Sequence, residues 1–332
     1  MDIENKKSIA LSVNETPITV CYYQEGKPVK GEVILMHTGG AGASAYMCWL
    51  LNFNALVEAG FRVTAPDAPG FGNSKTLNPN AKTPNAVDFL HVFIESLEIL
   101  NPHLVGNSMG GMTISKFASE YPELVRSLTI SGGEPRIETK EVSELGSLGA
   151  TPRNDFVREM FSKPQLSYED MYKATADFFY DRDHPMVDEI TRCRLNTLND
   201  RDAYEFAKEN SLGQIKRRGS DGSVDYLHLL QVPTLLLHGR DEIWFYPSTH
   251  REILMDAAIK AGSVIPSCTT IILPHCAHWP QIEHSDLYNQ LLIGFLNQVL
   301  TLQNHLKYHN IPFFFFLSFA GAPVFGVKDY GY

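Results

Sequence analysis

Up to residue 132, short apolar blocks alternate with longer amphipathic stretches. Residues 8–24 hold two β-like runs on either side of "NETP", which predicts an antiparallel hairpin. "GEVILMH" (31–37) is a continuous apolar run, as expected of a strand covered on both faces. After a glycine-rich loop, "AYMCWLLNFNALVEAG" (45–60) predicts a helix ended by Gly60. "FRVTAPDAPGFGNS" (61–74) predicts a strand followed by a turn-rich loop. Thr83 and Pro84 supply N-cap and first-position signals for a helix through Leu100. "HLVGN" (103–107) predicts a strand, Met109–Glu120 a helix stopped near Pro122, and "SLTISG" (127–132) another strand.

This rhythm predicts an α/β fold: a mostly parallel, eight-stranded sheet with helices on both faces. It breaks between 137 and 227, where the chain is charged, helical in pattern and without a strong strand. That stretch predicts an inserted helical cap, with the core formed by 1–136 and 228–300. The sheet resumes with "VPTLLLHGRDE" (232–242), a helix, "TTIILPHCAHW" (269–279) and a last helix from Ser285 to Leu300. The tail 301–332 does not fit this plan. Its apolar run "IPFFFFLSFAGAPVFGV" (311–327) falls short of a usual membrane span. A packed extra segment or atypical C-terminus is expected there, with a tail anchor as the alternative.

Length and composition narrow the function. At 332 residues, one large domain with an insertion fits. With 44% hydrophobic and 20% charged residues, a sizeable core can be built. A net charge of −10 without a Lys/Arg cluster argues against nucleic acid or an anionic membrane as partner. A small-molecule substrate is expected; a homo-oligomer is left open. Cys21, Cys48, Cys193, Cys268 and Cys276 are scattered without CxxC spacing, as free thiols in a reducing compartment would be. "MDIENKKSIA" has no apolar signal region, so a cytoplasmic location is expected and the sequon at Asn14 is a chance match.

The chemistry gathers at strand ends. "LVGNSMGG" (104–111) contains G-x-S-x-G as Gly106-Asn107-Ser108-Met109-Gly110, between a strand and a helix. A serine on that sharp turn is a candidate nucleophile, and small neighbours relieve the crowding. The bland reading is a glycine-rich turn with a solvated serine. A serine needs a base, and His278 in the loop after the last strand is the candidate. A histidine base needs an acceptor. Asp241, at the end of "TLLLHGRD", is the expected one, with its neighbour Glu242 as the alternative. Ser108, Asp241, His278 is the chain order of an α/β-hydrolase triad. Backbone N–H groups of Met109 and of Gly39, in "HTGGAGAS" (37–44), are the expected oxyanion donors. That loop lacks the lysine of a phosphate-binding P-loop. A metal site at His275, Cys276 and His278 lacks further ligands, so no metal and no organic cofactor are expected.

With these residues in hand, the chain resembles the α/β-hydrolase superfamily over about residues 8–300. Within it, it looks most like the meta-cleavage product hydrolases, which cleave C–C bonds in 2-hydroxy-6-oxo-dienoates. "GNSMGG" (106–111), "CAHWPQIEH" (276–284) and "HTGGAGASAYMCW" (37–49) carry the resemblance. It implies substrate contacts at Asn107, Trp279, Gly40 and the position of Cys48. It also implies an arginine for the substrate carboxylate, best placed at Arg192 in "EITRCRLN" with Arg194 second. Thr38 stands where the family has a loop glycine, Ala41 where it has proline, and Cys48 where it has asparagine. Loss of that amide leaves room for another ketone, an ester or a lactone. The expected activity is therefore C–C hydrolysis beside a ketone, with a carboxylesterase or lactonase as alternative. A non-catalytic ligand-binding relative is the remaining class. Dehalogenases and epoxide hydrolases are disfavoured because they use an aspartate where Ser108 stands.

Overall fold

The computed structural model describes residues 1, 5–76, 83–133, 135, 137, 152–163, 165–217, 224–242 and 251–309. Its strands are β1 (Lys7–Val13), β2 (Thr16–Glu25), β3 (Glu32–Met36), β4 (Arg62–Pro66), β5 (Lys75–Thr76), β6 (His103–Asn107), β7 (Ser127–Ser131), β8 (Thr234–Gly239) and β9 (Cys268–Leu273). They form one sheet in the order β1-β2-β4-β3-β6-β7-β8-β9, with the two-residue β5 pairing with β2. The first two strands are antiparallel, and β4, β3, β6, β7, β8 and β9 run parallel. The β1–β2 hairpin turns at Asn14 and Glu15, both at positive φ (47° and 64°), the twist a two-residue hairpin loop requires.

Alternation along each strand sends neighbouring side chains to opposite faces. Ile34, Met36 and Leu104 pack with Phe89, Phe93, Ile114 and Phe117 on one face. Val33, Leu35 and Val105 pack with Trp49, Phe53, Leu292 and Leu296 on the other. Both faces are covered, which is why these strands read as unbroken apolar runs. The covering helices are α1 (Ala45–Trp49), α2 (Phe53–Glu58), α3 (Ala86–Ser96), α4 (Met109–Glu120), α9 (Arg251–Val264) and α11 (Ser285–His309). A short α10 (Pro280–Glu283) precedes α11. Full burial of each large side chain, such as Phe93 or Phe117, contributes about 2–3 kcal/mol.

Between β7 and β8 the described chain is helical: α5 (Pro152–Met160), α6 (Tyr168–Ala176), α7 (Met186–Leu198) and α8 (Arg201–Arg217). Met160, Phe161, Met171 and Leu198 form a separate small core that includes Ala41 of the sheet domain. Phe178, Phe179, Val187 and Ile190 join the main core instead. The insertion thus rests on the sheet domain through apolar contacts at the loop after β3.

Three elements differ from the sequence reading. The helix expected over 45–60 is two short helices parted at residues 50–52, where buried Asn52 donates through Nδ2 to Gln281 O (3.0 Å) and Asn289 Oδ1 (2.9 Å). The helix expected from Pro84 begins at Ala86, because Asn85 caps it by accepting from Val87 N–H at 2.8 Å. The last helix runs on past Leu300 to His309. All five cysteines are free thiols. No helix among the described residues is long and apolar enough to cross a membrane. The run 311–327 lies outside the described residues.

Candidate active site

The parallel strands end together. Met36 pairs with Gly106, Asn107 with Ser131, Ser131 with Leu237 and Gly239 with Leu273. Their carboxyl ends therefore bring the loops 37–44, 132–133, 240–242 and 274–279 to one edge, around the turn at Ser108. Ligand sites in open α/β sheets lie at this edge.

Ser108 joins β6 to α4 at φ 54° and ψ −115°, a strained conformation for a residue with a side chain. The turn is held by Ser108 N–H donating to Ser131 O (2.8 Å) and Met112 N–H to Ser108 O (3.0 Å). Its glycines are required by close approach. A Cβ on Gly106 would meet the Gly110 carbonyl carbon at 2.5 Å, and one on Gly110 would overlap the Met36 carbonyl. The G-x-S-x-G spacing is thus a packing demand of the strand–helix junction.

Gly133 links the serine to the histidine. A Cβ placed there would lie 3.7 Å from Ser108 Oγ and 3.3 Å from His278 Cε1. The two side chains flank one point that only glycine leaves open. His278 is buried, and its N–H donates to Phe178 O of the insertion at 3.1 Å.

The acid behind His278 is not Asp241. His278 Nδ1 lies 2.6 Å from Glu242 Oε2, and both side chains are almost wholly buried. After β8 the chain makes a tight turn, with Glu242 N–H donating to Gly239 O at 3.1 Å. Consecutive side chains leave this turn in different directions. Asp241 accepts from Arg251 (2.8 Å), Arg240 (3.2 Å) and the His275 N–H (2.9 Å). It fastens the acid loop to α9 and to the histidine loop, while Glu242 reaches the imidazole.

The two expected oxyanion donors lie side by side at a helix start. The first N–H groups of a helix have no intrahelical acceptor, and Met109 is the first residue of α4. Gly39 lies against it: a Cβ on Gly39 would be 3.3 Å from Met109 Cβ. The loop is held by His37, whose Nδ1 donates to Thr38 O (2.6 Å) while Nε2 accepts from Ala68 N–H (2.9 Å). Accepting at Nε2 requires a neutral ring, and burial pushes the His37 pKa down accordingly.

The two candidate arginines differ in their surroundings. Arg192 is exposed, paired with Asp188 at 2.9 Å and lying over the Tyr168 ring. Arg194 is the buried one. Its Nε donates to Ala41 O (2.8 Å), its Nη1 to Thr175 Oγ1 (2.9 Å), and its guanidinium lies 5.6 Å from the Phe178 ring centre. Its Nη2 would be 4.0 Å from a Cβ on Gly40. Two residues apart on α7, these arginines point about 200° apart around the axis, so one faces the loop and the other the solvent.

The Asn107 amide nitrogen is engaged within the protein: Nδ2 donates to Ser131 O and His278 O, both at 3.1 Å, tying the histidine loop to β7. Trp279 is buried, stacked on Phe178 (centroids 4.4 Å, 11°) and edge-on to Phe179 (5.4 Å). Cys48 is buried and accepts from Gln281 Nε2 at 3.4 Å; burial pushes its thiol up to about 12, so it is neutral. Sequence reasoning missed Phe178, which touches His278, Trp279 and Arg194 at once; its only signal was an aromatic pair in the insertion. Among the described residues, no cluster of His, Cys, Asp or Glu is arranged to hold a metal ion.

A strained serine between strand and helix, a buried histidine–carboxylate pair and a glycine loop beside the helix N-terminus define a protein class. The chain matches the family described as the alpha/beta hydrolase fold over residues 32–285, and it belongs to that family. Its relatives narrow the likeness. It is similar to a 2-hydroxy-6-oxononadienedioate/2-hydroxy-6-oxononatrienedioate hydrolase of a Pseudomonas species, at 28% identity over 80% of this chain and 87% of that one. The enzyme of the same name from Paraburkholderia phymatum is 29% identical over 83% and 91% of the two chains. The structure of a meta-cleavage product hydrolase from Pseudomonas fluorescens superimposes with a TM-score of 0.67 at 27% identity, covering 90% of this chain and 99% of that one. The chain is a hydrolase of the α/β fold.

Proposed function

We propose that this hydrolase uses Ser108, His278 and Glu242 to cleave a C–C bond next to a ketone in a 2-hydroxy-6-oxo-dienoate. The observation that supports the serine chemistry is that Ser108 Oγ and His278 Cε1 both border the point left open by Gly133, with Glu242 behind His278. The relatives' activity on 2-hydroxy-6-oxo compounds supports the substrate class.

The chemistry follows from these groups. The dienol first takes its keto form, with a proton delivered to carbon, because a bare carbanion is a poor leaving group. His278 then removes the Ser108 proton as Oγ attacks the ketone. The N–H groups of Gly39 and Met109 receive the charge that develops on oxygen. The C–C bond breaks with its electron pair moving into the conjugated acid fragment, which takes up the proton held on His278, leaving an acyl group on Ser108 and His278 neutral again. Water, deprotonated by His278, releases that acyl group as a carboxylic acid. Glu242 keeps the Nδ1 proton in place and stabilises the imidazolium. Arg194, buried beside the oxyanion loop, is the cation for the substrate carboxylate. The insertion serves as a cap over the site, with Phe178 and Trp279 lining it.

A second reading, ester or lactone hydrolysis by the same groups, is favoured by Cys48, which offers a neutral thiol where an amide would grip the dienoate's polar end. Purified wild type and Ser108→Ala are to be assayed on a chromogenic 2-hydroxy-6-oxo-dienoate and on short p-nitrophenyl esters. Bleaching of the dienoate by wild type alone is expected. Fast ester turnover without bleaching would overturn the C–C reading in favour of the second.

A further inference from the structure

Glu283 ends α10, five residues past the candidate base, and its carboxylate is divided between two parts of the molecule. Oε1 accepts from Ala277 N–H at 2.8 Å, and Ala277 immediately precedes His278. Oε2 accepts from Tyr180 N–H at 2.7 Å, in the segment joining α6 to α7. That segment also gives His278 its backbone partner at Phe178 O and stacks Phe178 on Trp279. One carboxylate therefore stitches the histidine loop of the sheet domain to the insertion that covers it.

We propose that Glu283 is a positioning residue whose ionised carboxylate holds the His278 loop and the segment 178–180 in register for proton transfer at Ser108. The inference rests on the serine-hydrolase reading of Ser108 and His278. Two N–H donors on two separate oxygens suit the charged carboxylate. A protonated carboxyl carries its own hydrogen on one oxygen, so one of the two ties weakens. Burial pushes the Glu283 carboxyl up to about 7; the N–H donors pull it back and the nearby Glu242 adds to the rise. The clamp thus changes charge in the neutral range. Titratable groups on the elements packed around it are Glu242 after β8, Cys276 and His278 after β9, Tyr180 and His184 in the insertion, and His284 next in the chain.

The test is the ratio of kcat/KM between wild type and Glu283→Gln from pH 5.5 to 8.5, on whichever dienoate or ester is turned over. Glutamine copies the protonated form of Glu283 at every pH. The ratio is expected near one at pH 5.5 and on the order of tenfold at pH 8.5, with a midpoint close to 7. A ratio independent of pH overturns the proposal. Tyr180→Pro removes the N–H on the insertion side and leaves the carboxylate intact, which covers the case in which Glu283→Gln does not fold. It is expected to lose the same increment above pH 7, and a wild-type profile in Tyr180→Pro overturns the clamp. Labelling of wild type at Ser108 by a fluorophosphonate separates the two levels. No labelling sinks the serine reading and this inference with it, whereas labelling with a flat ratio sinks this inference alone.

Discussion

Exchanging the two neighbouring acids tests the active-site geometry most directly. In Glu242→Gln the imidazole keeps a partner of the same size but loses the charge 2.6 Å from Nδ1. With roughly 4 Å between charge centres and an effective dielectric of about 20, the carboxylate stabilises the imidazolium by about 4 kcal/mol. That corresponds to about a thousandfold in kcat. The glutamine NH2 can also donate to Nδ1 and select the tautomer that carries its proton on Nε2, which cannot accept from serine. The loss then approaches about ten-thousandfold. Asp241→Asn is a different case. Its arginine partners are nearly half exposed (41% and 48%), so each pair is worth no more than about 1 kcal/mol. Asparagine also keeps an oxygen for the His275 N–H. A lower Tm with kcat within about tenfold of wild type is expected. Stopped-flow single turnovers on both variants, with circular dichroism to establish folding, give the comparison. If Asp241→Asn loses as much as Glu242→Gln, or Glu242→Gln keeps a tenth of the wild-type rate, the assignment of Glu242 is wrong.

Two further outcomes follow from buried side chains. Arg194→Lys keeps the charge but loses the guanidinium fork, so KM for a carboxylate substrate should rise tenfold or more, on the scale of about 1.5–3 kcal/mol for a charged hydrogen bond. Arg192→Ala should leave KM unchanged, and equal effects in steady-state kinetics would contradict the placement of the two arginines. His103, fully buried with Nδ1 2.7 Å from Ser127 Oγ, is pushed by burial down to about 3. A lowered histidine favours folding fully above about pH 6.5, and that contribution is lost as pH falls toward 3. Urea unfolding at pH 7 and pH 5 should differ by about 2 kcal/mol from this group. His103→Gln should shrink that difference, and an unchanged difference would refute it.

Strands such as β3 and β8 were legible because they are buried along their whole length and therefore read as apolar runs. Ser108 was legible because the glycines that frame it are forced by contacts within a few residues, as at Gly106 and Gly110. His278 was legible from its place after the last strand. Helix boundaries were less so. Asn52 breaks a helix through partners in α10 and α11, more than two hundred residues away in sequence.

Sequence alone thus determined the fold class and the edge of the sheet to which Ser108 and His278 come, since local backbone demands and strand order place them there. Tertiary structure decided between neighbours. Asp241 and Glu242 are both acids at a strand end, and the turn closed at Gly239 sends only Glu242 to His278. Arg192 and Arg194 share a helix, and the packing of α7 on the loop after β3 buries only Arg194. Asn107 follows the motif glycine in sequence, and the carbonyls of Ser131 and His278 fix the direction of its amide nitrogen. Each of these choices turns on side-chain direction, and direction is fixed by contacts between segments far apart in the chain.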